Sequence, residues 1–128
     1  MTDHQRERGA AVVEFALVAT LLTVLFLGVV QVGLALYVRN TLVACASAGA
    51  RYGADADRYP SDGAARARLL IGRSLSPRYA SSVTSGVEYR GGAAIVFVQV
   101  RAPLPVVGLV GPAGVMTVRG HALREGAP

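Results

Sequence analysis

With 128 residues the chain has room for one small domain plus an anchor, since a usual domain already takes roughly 100 residues. Hydrophobic residues make up 52% and charged residues only 16%, a balance that leans toward membrane proteins over ordinary soluble domains. The net charge of +5 comes from scattered arginines, with no lysine and no dense basic block interleaved with aromatics; this points to a solvated basic surface and excludes nucleic acid as an expected partner.

From Phe15 to Val38 run 24 residues without a charge. At about 1.5 Å per residue such a helix is about 36 Å long, enough to cross a hydrocarbon core of about 30 Å with some tilt. It is read as a retained transmembrane helix, because the apolar region of a cleaved signal peptide is shorter, about 7 to 15 residues. Arg6 and Arg8 precede the span and Arg39 and Arg51 follow it, so flanking charge alone leaves the orientation open.

Past the span, Arg39 to Asp57 is rich in Ala and free of Pro, which predicts that the same helix continues until Pro60 stops it. Ala44 and Ala48, Ala46 and Ala50, and Gly49 and Gly53 are small pairs at the spacing that lets two backbones approach. Their partner would be either the sheet of the same chain or another subunit. A second, short helix follows, with Ser61 or Asp62 as its cap, Ala65, Leu69 and Leu70 as its apolar positions and Pro77 as its end.

The period then changes to two. Val83 to Arg90 alternates, and Gly91 and Gly92 supply a two-residue turn that pairs Arg90 with Ala93, Val87 with Val96 and Val83 with Val100. The apolar faces coincide in that register. Ala93 to Val100 is apolar on both faces, as a central strand is, and Val115 to Arg124 makes a third strand. Val87, Tyr89, Val96 and Val98 form the expected covered face, since a small sheet needs a helix to pack on. The connection from Pro103 to Gly114 is apolar despite its Pro and Gly content; it either packs over the helix or forms a contact surface. The expected class is α+β: a long N-terminal helix crossing the membrane and continuing beyond it, a short second helix, and an antiparallel sheet of about three strands. The expected division is 1–9 as leader, 10–57 as span and extended helix, and 58–128 as a small α+β domain.

Catalytic chemistry is sparse. Cys45 has no partner for an internal disulfide and is read as a small packing residue, with an intermolecular bond open to it in an oxidising compartment. "LVAC" before it looks like a lipoprotein box and "ASA" after it like a signal-peptidase site, but Arg39 and Asn40 separate both from the apolar run. His4 and His121 lack a second ligand at metal spacing, and no phosphate loop or nucleophile constellation is recognisable. No metal, no cofactor and no enzymatic activity is therefore expected.

Glu14 is the informative residue. An ionisable side chain in an apolar helix costs roughly 2.5 to 3.5 kcal/mol at the bilayer centre and less at its edge, so Glu14 is either a boundary residue at headgroup level or a functional one. "RGAAVVEF" places the unhindered Gly9 after a charged leader, with Glu14 five residues beyond it and Phe15 next. This resembles the processing signal of type IV pilin-like proteins, where a prepilin peptidase cuts after the glycine and the fifth mature residue is Glu. The new terminus would be Ala10. Its ammonium and the Glu14 carboxylate, one helical turn on or on an adjacent subunit, could neutralise each other.

"RGAAVVEFALV" and then "GLALYVRNTLVACASAGARYGA" are similar to the TadE-like proteins of the tight-adherence (Flp-type) pilus assembly system, over about the first 54 residues. That resemblance implies a pseudopilin-like structural component, anchored by one span in the inner membrane, with a cytoplasmic N-terminus and a periplasmic domain, and either retained there or entering the extracellular pilus. Its implied partners are the prepilin peptidase, other pilin or pseudopilin subunits and pilus assembly proteins. The alternative, from another class, is a single-span anchored extracytoplasmic binding module unrelated to pili.

Overall fold

Nothing between Asp3 and Gly53 interrupts a helix: there is no Pro, and the β-branched residues fall inside an apolar run where backbone groups have no better partner than each other. The computed structural model, which describes residues 3–105 and 114–124, accordingly has one helix, α1, over Asp3–Gly53. The chain forms two compact units, Met1–Leu34 and Ala35–Pro128.

In the first unit α1 stands by itself. Every residue from Asp3 to Val30 is exposed except half-exposed Ala19, with Leu17 and Phe26 both at 66%. Mean hydropathy reaches 2.4 over the most apolar window, and by length and composition this helix can cross a membrane. An apolar surface on all sides is what lipid requires. The two threonines in the run carry no unmet polar group into it: the Thr20 and Thr23 hydroxyls donate to the Ala16 and Ala19 carbonyls at 2.7 Å.

In the second unit α1 becomes one-sided. Val38, Leu42, Cys45, Ala46, Gly49, Ala50 and Gly53 are buried, at three- and four-residue steps. There follow α2 (Pro60–Ser74), a short 3-10 turn (Pro77–Ala80) and three strands, β1 (Val83–Arg90), β2 (Ala93–Pro103) and β3 (Val115–Leu123). The sheet is antiparallel in the order β1-β2-β3, so β2 is central. Its hairpin pairs Arg90 with Ala93, Val87 with Val96 and Val83 with Val100, the register expected from the pattern. Gly91 and Gly92 make the turn at φ of 57° and 82°, a region that side chains disfavour. Leu42, Ile71, Val96, Val98 and Val100 are the large, fully buried side chains, each stabilising the fold by about 1.5–3 kcal/mol on burial.

Several local expectations are corrected. The first helix ends at Gly53, not Asp57. Acids are unfavourable at a helix C-terminus, and Asp55 instead pairs with Arg58 at 2.7 Å in the turn that follows. Pro60 does not stop α1; it opens α2, where its missing N–H costs nothing. Neither Ser61 nor Asp62 is the cap residue. Tyr59 is, and the Asp62 carboxylate accepts its N–H at 2.8 Å. The buried face of α2 is Gly63, Ala64, Ala67 and Ile71, while Ala65 and Leu69 are exposed and Leu70 is half-buried; Gly63 and Ala67 make the close approach to α1, and Ile71 fills the core. Pro77 starts the 3-10 turn after α2 has ended at Ser74. Tyr89 is 77% exposed and not part of the covered face; it pairs with Ala94 one residue from the turn, whereas Val96 and Val98 are fully buried and Val87 half-buried. The middle of the apolar connection, 106–113, lies outside the described residues.

The other face of the sheet is organised by Arg119. Its Nε donates to the Gln99 side chain at 2.7 Å, its Nη1 donates to Glu88, and its guanidinium stacks 4.6 Å from the Phe97 ring centre. Phe97 in turn lies over Gly86, where a Cβ would come within 2.8 Å of the ring. The hydrogen bond from Arg119 is the largest influence on the Glu88 carboxyl; desolvation opposes it, and the charges of Arg119, Arg90 and His121 add to it, so the carboxyl is held below its ordinary range. A carboxyl lowered in the folded state stabilises fully above its unfolded pKa and ceases to do so as pH falls through the folded value. Thermal melts in detergent micelles should therefore show Glu88→Gln less stable than the parent at neutral pH and equal to it in strong acid. A deficit that persists unchanged in acid would assign the loss to packing.

Candidate processing and helix-packing sites

Gly9, Ala10, Glu14 and Phe15 all lie in α1 of the first unit, and all are exposed. Helical geometry sets Glu14 one turn from Ala10, on the same face. A Cβ at Gly9 would meet nothing within 4 Å, so the glycine is not required there by packing. The helix already includes the residues before Gly9, from Asp3 onward. Gly9 weakens that helix by about 1 kcal/mol relative to Ala, which makes it the point at which the first turns open most readily.

Ala46, Gly49, Ala50 and Gly53 lie in the second unit, and all four are buried. Their neighbours are backbone. A Cβ at Gly49 would stand 2.6 Å from the Gly63 carbonyl oxygen and 2.8 Å from the Ala67 Cβ; one at Gly53 would stand 3.1 Å from Gly63 and from the Tyr59 oxygen. A Cβ at Gly120 of β3 would overlap the backbone of Ala46 and Ser47. The small face of α1 thus meets α2 at Gly63 and the sheet at Gly120, both within the chain. Gly63 and Gly120 escaped the sequence reading. Their signal was available, since an isolated Gly inside a helical or strand pattern marks a close backbone approach.

Cys45 is buried beside this contact. Burial pushes its thiol above the ordinary range, and a hydrogen bond with the Ser74 side chain pulls the other way. Next to it an open groove lies between α1 and α2, lined by Tyr37, Asn40, Thr41 and Ala44 from the first helix and Leu70 and Ser74 from the second. At the far end of the helix pair, Tyr52 carries the Arg58 guanidinium 3.7 Å above its ring centre, with that of Arg66 at 5.6 Å.

Residues 9–51 match the family model of TadE-like proteins. The matched stretch begins at the glycine of the processing pattern and takes in the whole span and most of the small face of α1. It is about a third of the chain, and α2 and the sheet lie outside it. The resemblance drawn on these residues is borne out over that stretch and is consistent with a TadE-like protein of the tight-adherence pilus system. No curated protein and no solved structure matches the chain.

Two glycines of α2 separate packing from propensity. Gly63→Ala puts a methyl into the α1 backbone and should destabilise by about 1–3 kcal/mol. Gly72→Ala meets nothing within 4 Å and should stabilise by up to about 1 kcal/mol through helix propensity alone. Thermal melts of the two variants should move in opposite directions. A neutral Gly63→Ala would contradict the close contact of α1 with α2.

Proposed function

We propose that the chain is a non-enzymatic, membrane-anchored, pseudopilin-like component in the assembly of a tight-adherence pilus. The observation that carries this reading is the TadE-like match over residues 9–51, which starts at Gly9 and runs on through the span. The chain lies with its N-terminus in the cytoplasm and its α+β unit in the periplasm, and acts by packing against other pilin-like subunits.

Maturation removes the leader. A prepilin peptidase adds water across the Gly9–Ala10 peptide, giving a carboxylate on Gly9 and an ammonium on Ala10. The leader helix opens at Gly9 to present that peptide, and helix start sites without tertiary contacts open at little cost. The new ammonium then stands one turn from Glu14. Each charge alone is unfavourable at the membrane edge, and the pair is less so. Glu14 tolerates an apolar helix for this reason, either with its own terminus or with that of a neighbour.

Intact-mass analysis of protein from its native membrane should find Ala10 as the first residue. Gly9→Val should accumulate as precursor, because a branched side chain crowds the carbonyl that is attacked; normal maturation of that variant would remove the processing account. Glu14→Ala should insert and mature as the parent does but fail in piliation. Full piliation by Glu14→Ala would end the charge-pairing account while leaving the anchor untouched.

A further inference from the structure

The two edges of the sheet differ. Along an antiparallel ladder, residues alternate between turning their N–H and C=O toward the neighbouring strand and turning them away. Arg101 donates its N–H to the Ser82 carbonyl, which fixes the phase, so Val83, Ser85, Val87 and Tyr89 turn their backbone groups away from β2. That edge is guarded at its start. The Val83 carbonyl accepts from the Arg68 side chain of α2 at 2.8 Å, Val83 is buried, and Ser85 and Val87 are half-buried.

The β3 edge has the opposite character. Leu104 donates to Gly114 and Arg124 donates to Ala94, each at 3.0 Å, so Met116, Val118, Gly120 and Ala122 are the residues bonded to β2. Val115, Thr117, Arg119, His121 and Leu123 turn their backbone groups outward, and all of them are exposed. Among the described residues no strand pairs with them. The usual protection of an edge is missing too: β3 has no Pro and no Lys, and its register with β2 runs from Val115 to Leu123 without a bulge. Arg119 does not stand out as a guard, because it is drawn back over the sheet onto Gln99, Glu88 and Phe97. An open ladder of donors and acceptors is a template for one more strand of peptide.

Charge selects the strand. The outward residues share one face of the sheet, with Val115 and Leu123 at its ends, 60% and 69% exposed, and Thr117, Arg119 and His121 between them. Arg90, Arg101 and Arg119 lie on that face with a single acid, Glu88, which already pairs with both Arg90 and Arg119. Arg101, opposite Thr117 in the ladder, has no carboxylate partner among the described residues. A second copy suits the edge poorly, since two β3 strands paired about Arg119 would set arginine against arginine between chains that each carry +5. A strand with carboxylates at alternate positions meets guanidiniums instead.

We propose that β3 is a docking edge for an acidic, extended peptide segment of a partner protein, added antiparallel as a fourth strand, with carboxylates beside Thr117, Arg119 and His121 and apolar residues beside Val115 and Leu123. Main-chain hydrogen bonds give such a contact its affinity, and the alternate side chains give it selectivity. It rests on neither leader cleavage nor the pilus role.

The probe is a blocked, fluorescent peptide, Val-Thr-Glu-Thr-Glu-Thr-Glu-Thr-Val, titrated with the full chain in uncharged detergent micelles and read by anisotropy. It should bind, and the same peptide with Gln for Glu should bind about tenfold or more weakly at low salt, the difference closing as salt is raised. Thr117→Pro removes an outward donor at an edge position where a strand tolerates proline, and should weaken binding by about tenfold or more; Thr117→Val keeps the donor and should bind as the parent does. If Thr117→Pro melts early, the peptide N-methylated at its Glu residues decides the matter with the chain unchanged, because antiparallel pairing uses those N–H groups; it should bind as weakly. Failure of the Glu peptide to bind the parent overturns the proposal. So does equal binding of the plain and N-methylated peptides, which would leave an attraction of charge alone. A parent dimer in micelles that Thr117→Pro separates overturns it as well, by making a second copy the occupant of the edge.

Discussion

The approach of backbone to backbone at Gly49, Gly63 and Gly120 is the constraint on which the folded unit depends. In a unit this small, α1 packs on α2 and on β3 along a single face, and any side chain at those three positions would force the backbones to shift apart. Closeness there lets Leu42, Ile71, Val96, Val98 and Val100 meet in one core, where burial can offset the conformational entropy of ordering the chain. The glycines contribute no apolar area themselves; they set the distance at which other residues do.

One helix serves two solvents. From Phe15 to Val38 the residues of α1 are apolar on every side, as lipid demands, and the threonines bond back to their own helix. From Val38 onward large apolar residues give way to Ala, Gly and Ser, and burial is confined to one face. The change of composition, more than any break in the backbone, separates the two kinds of helix surface. Apart from Thr41, whose hydroxyl bonds back to Tyr37, the polar side chains around this junction, Arg39 and Asn40 among them, stand on the exposed side.

The parts legible in the sequence were those governed by period and by length. The span followed from an uncharged run, the hairpin register from Gly91–Gly92 and matching apolar faces, and the central strand from its apolar residues on both sides. What the sequence misplaced were the elements whose ends are set by tertiary contact. Pro60 reads as a stop or as a first helical residue equally well, and the Asp62 carboxylate on the Tyr59 N–H decides for the second. Leu69 and Leu70 look like the apolar face of α2, but the buried face is set by the close approach of Gly63 and Ala67 to α1, and Ile71 is the large residue that shares it. Tyr89 fits the alternation of its strand and is still exposed, since alternation says which face a residue is on and not how far along that face the covering extends. For Gly9 and Glu14, expected to form a processing signal, the structure adds only their helical phase, because both are exposed.

The small residues of α1 offered two readings, packing within the chain or between subunits, and the geometry bears on both. Ala46 already meets β3 and Gly49 and Gly53 meet α2, with no room for an added carbon at Gly49 and a tight fit for one at Gly53. A face so closely occupied cannot also receive the helix of another subunit without dismantling the core. Any contact with another chain must then come from other surfaces, and the first unit offers a large one: an unbroken apolar helix, exposed from Asp3 to Val30 but for half-exposed Ala19. The TadE-like stretch thus joins two kinds of helix surface end to end. Its membrane half is open to whatever lipid or helix surrounds it, and its second half is committed to the chain's own α2 and sheet, though the residues that meet it there, Gly63 and Gly120, lie outside the matched region. The packing against α1 is what requires both glycines.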